Sequence, residues 1–138
     1  MPHVVIVEDD RLNARLFEAV LRRLGGFEVT VTEDVEELLR LASAHKADLI
    51  IMDVSLSNCR YQGHPVDGLE ITRLLKGNPG TSGIPVILAT AHAMRGDRER
   101  FLAQSYADDY LAKPIMDQAA FIATINGHLE RCESSKRV

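Results

Sequence analysis

Four short apolar runs in this chain each end on a side chain able to do chemistry. Val4-Val5-Ile6-Val7 is followed by Glu8, Asp9 and Asp10, and Leu49-Ile50-Ile51-Met52 by Asp53. Val86-Ile87-Leu88-Ala89 is followed by Thr90, and Tyr110-Leu111-Ala112 by Lys113. Carboxylates brought together repel one another and raise one another's pKa. A fold that keeps such a cluster neutralises it with a divalent cation. Oxygen donors, without His or Cys at matching strand ends, select Mg2+ rather than zinc. A hard cation beside a carboxylate, a hydroxyl and an ammonium suits phosphoryl transfer, which depends on positioning and charge neutralisation. One carboxylate can then be the nucleophile and carry the phosphoryl group as an aspartyl phosphate. Asp53 stands alone after its run and fits that role, with the acidic pair Glu8 and Asp9 placed to hold metal. Asp10 is read as the cap of the helix that follows.

Groups so distant in the chain meet only if the runs are parallel strands opening on one edge. The hydropathy pattern supports this. Strands are expected at 4–7, 29–31, 49–52, 86–89 and 109–113. Between them, helical spacing recurs at 11–24 (ended by Gly25-Gly26), at 35–42 behind an Asp34 cap, at 68–76 (broken by Gly77, Pro79 and Gly80) and more weakly at about 94–104. A last helix begins after Asp117 with Phe121, Ile122, Ile125 and Leu129 on one side, and Met116 and Phe121 are placed to staple its start. Strand-helix alternation implies parallel strands joined by right-handed crossovers, with helices on both faces. The continuously apolar runs at 4, 49 and 86 belong in the middle, and the mixed ones at 29 and 109 outside. The expected architecture is therefore an α/β, flavodoxin-like (βα)5 doubly wound sandwich whose five-stranded parallel sheet has the order 2-1-3-4-5. Its carboxyl edge is where open α/β sheets bind ligands.

The 138 residues are enough for one domain with a buried core, expected at 1–129 with a fraying polar tail at 130–138. The apolar runs are too short to cross a membrane, and Met1-Pro2-His3 does not open a signal peptide. Cys59 and Cys132 are too few for a disulfide scaffold, so a reducing, cytoplasmic setting is expected. A net charge of -4 with no dense basic block argues against nucleic acid as a direct partner.

In the order of its motifs the sequence resembles a bacterial two-component response-regulator receiver domain, of the stand-alone chemotaxis-regulator kind. The residues that carry the likeness are Val7-Glu8-Asp9-Asp10, Asp48-Leu49-Ile50-Ile51-Met52-Asp53, Asp67-Gly68, Ile84-Pro85-Val86-Ile87, Thr90-Ala91 and Ala107-Asp108-Asp109-Tyr110-Leu111-Ala112-Lys113-Pro114. The resemblance implies that Asp53 is the phosphoacceptor. It makes Glu8, Asp9, Asp53 and the backbone carbonyl of Ser55 the Mg2+ site. Thr90, the amide of Ala91 and Lys113 would receive the phosphoryl oxygens. Thr90 and Tyr110 would form the switch pair, and the Lys113-Pro114 bond would be cis. Ser55 and His92 would stand where the family tunes phosphoryl lifetime. An ordinary half-buried edge-strand aromatic is the alternative for Tyr110, and a solvated helix-entry residue for His92.

Three departures from the family pattern stand out. The segment between Asp53 and Asp67-Gly68 is about seven residues longer than usual. A solvated loop extension is the favoured reading, ahead of a lid or kinase-docking element; Cys59 and His64 lack the further partners a metal site needs. Tyr106 replaces the glycine common at the end of the fourth helix. A left-handed Tyr costs roughly 1–2 kcal/mol, so that helix is expected to end differently. Glu8 replaces the commoner Asp.

The implied function is a phosphorylation-activated switch, not an enzyme beyond self-catalysed phosphotransfer and autodephosphorylation. A histidine kinase or histidine phosphotransfer domain would be the donor and an unidentified protein the target, with a homodimer possible through the fourth helix, fifth strand and fifth helix. Two readings compete. An Asp-nucleophile Mg2+-dependent phosphatase of the haloacid-dehalogenase kind needs a second Asp two residues after the first, where this chain has Ser55. A degenerate receiver kept as a docking module would not need Asp9, Asp53, Thr90 and Lys113 intact.

Overall fold

The computed structural model describes residues 2–56, 59–91, 96–113 and 115–136, with side chains as far as 131. Five strands, β1 (His3–Val7), β2 (Glu28–Thr32), β3 (Leu49–Asp53), β6 (Val86–Thr90) and β7 (Asp109–Ala112), form one parallel sheet in the order β2-β1-β3-β6-β7. This is the expected 2-1-3-4-5 order. The helices are α1 (Arg11–Val20), α2 (Val35–Ser43), α3 (Gly68–Lys76), α4 (Asp97–Ser105) and α5 (Gln118–Lys136). All five residues of β3 and all five of β6 are buried, because helices cover both faces of the sheet.

Alternate residues of the central strands serve two cores. Val4, Ile6, Leu49, Ile51 and Ile87 pack with Phe17, Leu21, Phe121 and Ile125 from the α1–α5 side. Val5, Val7, Ile50, Met52, Val86 and Leu88 pack with Leu38, Ile71 and Leu75 from α2 and α3, and with half-buried Phe101 of α4. Side-chain alternation along each strand is what lets one sheet anchor both helical layers.

The caps follow the sequence closely. The carboxylates of Asp10, Asp34 and Asp67 accept amide bonds from the first turns of α1, α2 and α3, and Asp117 accepts one from Ala120 in α5. Asp10 is thus a cap, as read. Past Val20, α1 continues as a π-helical turn (Leu21–Gly25) that ends on left-handed Gly26.

Three local expectations need correction. Tyr106 does take the left-handed conformation (φ 64°), so α4 ends as a glycine-capped helix would. Its amide still reaches Leu102 (2.9 Å), and the Ser105 hydroxyl bridges the Phe101 carbonyl and the Ala107 amide. The 54–66 insertion is not wholly a solvated loop. It folds into a hairpin of β4 (Arg60–Tyr61) and β5 (His64–Pro65), turned by Gln62 and Gly63, both at positive φ as a two-residue type I′ turn requires. Leu56 and Cys59 are buried in the core beneath it, while Arg60, Gln62, Gly63, His64 and Pro65 are exposed. Met116 is 89% exposed, so it makes no staple with buried Phe121. The last helix, α5, runs to Lys136. The Lys113-Pro114 bond, His92 and the Cys132 side chain lie outside the described residues.

Candidate functional site

Sheet register carries the chemical groups to one edge. Val7 pairs with Met52, Asp53 with Ala89, and Thr90 with Ala112. The next residues of β1 and β7 are Glu8 and Lys113, so acids, hydroxyl and amine emerge at the same level. Main-chain bonds lock the edge: the Val54 amide donates to Ala89, and the Lys113 amide to Thr90 (2.8 Å).

A short approach also shapes the pocket. The first residue of α3 is Gly68, and a Cβ there would lie 2.0 Å from the Asp53 carbonyl oxygen. No side chain fits that gap, so the Asp67-Gly68 step lets α3 start directly against the Asp53 backbone.

Lys113 is the centre of the cluster. Its Nζ lies 2.8 Å from Glu8 Oε1 and 3.2 Å from Asp53 Oδ1, and all three side chains are at most 6% exposed. The Ser55 amide donates to the same Asp53 oxygen (3.1 Å). Burial works against the charge on Lys113, but the Glu8 hydrogen bond and the Asp53 and Glu8 charges outweigh it and hold its pKa above the ordinary lysine value. Glu8 goes the other way. Burial, and then the hydrogen bond it shares with Asp53, push its pKa up to about 7 despite the nearby ammonium.

Those groups fit a hard divalent cation. Glu8, Asp9 and Asp53 each present a carboxylate oxygen within 4.8 Å of the others. Ligands on opposite sides of Mg2+ at 2.0–2.1 Å are roughly 4 Å apart, so the spacing suits. The second oxygen of Glu8 is buried and has no hydrogen-bond partner among the described residues, an acceptor left open for such an ion.

Thr90 is 2% exposed at the end of β6, and Ala91 follows it as an exposed residue. Ser55 is exposed beside Asp53. Tyr110 is half-buried on edge strand β7, with its ring 6.0 Å from that of Phe101 and its hydroxyl buried without a partner among the described residues. Cys59 is no part of the cluster: its thiol donates to the Glu33 carbonyl (3.0 Å), and burial, reinforced by the surrounding acids, pushes its pKa up to about 11. Sequence reading missed that thiol's pinning role and the direct Lys113–Glu8 pair, since neither partner is close in the chain. It also missed a second charged cluster around Asp109, whose Asp108-Asp109 doublet is the sole trace in the sequence.

The family model for the response regulator receiver domain matches residues 4–126. The polar-differentiation response regulator DivK of Brucella anthropi is 41% identical over 126 residues, 91% of this chain and 94% of that protein. The same regulator of Brucella ovis is 41% identical over the same shares of both chains. The receiver domain of a Pseudomonas aeruginosa sensor histidine kinase, solved with a magnesium ion coordinated in its active-site cleft, matches with a TM-score of 0.76 at 30% identity. That likeness covers 94% of this chain and 98% of the other. A CheY-like receiver from Methanospirillum hungatei shares the fold, with a TM-score of 0.77 at 21% identity over 98% of each chain.

Proposed function

The chain belongs to the response regulator receiver family of two-component systems, and on that premise we propose that it is a switch thrown by phosphorylation of Asp53. The donor is a phosphohistidine on a histidine kinase or a histidine phosphotransfer domain. An Asp53 carboxylate oxygen attacks phosphorus, the bond from phosphorus to the donor nitrogen breaks, and that nitrogen keeps the electron pair. The single observation that carries this reading is the Lys113 ammonium set between Glu8 and Asp53, at 2.8 and 3.2 Å. It offers a charged donor at the place where a phosphoryl oxygen would arrive.

Glu8, Asp9, Asp53 and the Ser55 carbonyl would hold Mg2+, which supplies neutralising charge for the incoming phosphoryl group. Lys113 then shifts its hydrogen bonds from carboxylate to phosphoryl oxygen. The Thr90 hydroxyl and the Ala91 amide supply further donors. The phosphoryl group of an aspartyl phosphate carries a charge of about -1.5 to -2 in place of the carboxylate's single charge, and brings three acceptors, enough to draw Thr90 inward and let Tyr110 follow. Ser55, two residues past Asp53, and His92, two past Thr90 in the sequence, stand where the family tunes phosphoryl lifetime. The output is a changed α4–β7–α5 surface that binds a protein partner or a second copy. Neither nucleic acid nor membrane is the direct target; among the described residues no helix is long and apolar enough to cross a membrane. The setting that suits such a partner is the cytoplasm.

Incubation with Mg2+ and acetyl phosphate tests this. One phosphoryl group per chain is expected, lost in Asp53→Asn and greatly slowed by chelation of Mg2+. Sustained phosphate release without a stable adduct would make the protein a phosphatase, and no adduct at all would make it a docking module.

A further inference from the structure

Asp109 opens β7 and is joined to more elements than any role assigned so far requires. One carboxylate oxygen, Oδ1, accepts the amide of Tyr110 (2.8 Å) and pairs with Arg98 of α4 (3.1 Å). The other, Oδ2, meets His128 Nε2 of α5 (2.9 Å). Arg98 turns back to donate to the Tyr110 carbonyl (3.4 Å). Both main-chain polar groups of Tyr110 are therefore engaged by the Asp109–Arg98 pair. β7 is an edge strand, so such groups would otherwise face outward unpaired. Burial would raise the pKa of Asp109, but the His128 and Tyr110 hydrogen bonds and the Arg98 charge together hold it below the ordinary carboxylate value.

We infer that Asp109 is a positioning residue for the switch: its carboxylate fixes the Tyr110 main chain and ties α4 and α5 to it, so that the resting placement of the Tyr110 ring is set from outside the phosphorylation pocket. The inference rests on the proposed role of Tyr110. The ring lies over Phe101 of α4, the helix that Arg98 pins. Which rotamers a ring takes depends on the φ/ψ of the residue that carries it, so a main chain held at both its N–H and its C=O biases the poses of the Tyr110 ring. Two oxygens serving two helices let one group couple them. None of the three side chains touches Asp53, so phosphorylation chemistry and ring placement are separable.

The test uses the whole chain labelled with 3-fluorotyrosine, with the Tyr110 fluorine resonance identified by its loss in Tyr110→Phe. In the unphosphorylated protein, Asp109→Asn is expected to change the ratio of Tyr110 ring populations roughly tenfold, the effect of losing one charge-assisted bond. His128→Gln should change it less, because only the α5 arm is released. The initial rate of Asp53 phosphorylation by acetyl phosphate stays within about twofold in both. An Asp109→Asn protein that melts earlier but keeps the wild-type Tyr110 resonance would overturn the inference, making Asp109 a packing residue only. Should wild-type Tyr110 ignore phosphorylation of Asp53, the switch reading fails, and the unphosphorylated spectra still decide the positioning role.

Discussion

Glu8 shows how burial can make a single acidic side chain costly to ionise. Its carboxyl titrates near 7 in the folded chain against 4.5 for a free glutamate, mainly through burial and next through Asp53. A raised carboxyl pKa contributes stability that is full below about 4.5 and fades as pH climbs through about 7. Without divalent cation, the Glu8 contribution therefore makes the protein melt higher at pH 5.5 than at pH 8. Glu8→Gln should flatten that dependence, and added Mg2+ should raise the wild-type melting temperature more at pH 8, where the carboxylate is already ionised. Thermal melts at both pH values check this. A Glu8→Gln protein that keeps the full wild-type slope refutes the assignment.

At the scale of elements, two segments show local chemistry yielding to context. The α4 terminus places Tyr106 at φ 64° with its side chain 69% exposed, so the residue has a steric cost and little burial to offset it. Glycine meets no such clash there. Tyr106→Gly is expected to stabilise the protein by about 1 kcal/mol, read from denaturant unfolding, while phosphorylation of Asp53 is unaffected. A loss of stability would mean that the Tyr ring packs usefully on a partner element. The second segment is the hairpin. Its Gln62-Gly63 turn falls in a stretch expected to be a solvated loop, and nothing in residues 54–66 announces that Leu56 and Cys59 tuck under it. That burial depends on the surface left open by α2 and the Glu33 carbonyl.

At the scale of the whole molecule, the two helical layers are joined at the edge of the sheet by the Asp109 cluster, which binds α4 and α5 to β7 at once. A carboxylate whose folded pKa is depressed contributes stability that is present above its unfolded value and lost as pH falls through the folded one. An ordinary aspartate titrates near 3.8, so the Asp109 contribution is present at pH 5–7 and is lost in acid. Asp109→Asn should cost about 1–3 kcal/mol at pH 7 and little in strong acid, measured by urea unfolding across that range. An equal loss at every pH would show that the charge is not what matters.

Architecture was almost wholly written into the order of residues. Continuous apolar runs at 4, 49 and 86 marked strands covered on both faces, and the residues that end them are the ones the sheet register brings to one edge. Periodicity and capping are local, so one chain suffices to reveal them. Pairings across elements are different. The Lys113–Glu8 contact spans 105 residues, and the split of the Asp109 carboxylate between Arg98 and His128 joins three elements. Such contacts depend on how strands register and how helices lie on the sheet. Only folding the chain in space reveals whether two charges stand at 3 Å or at 15.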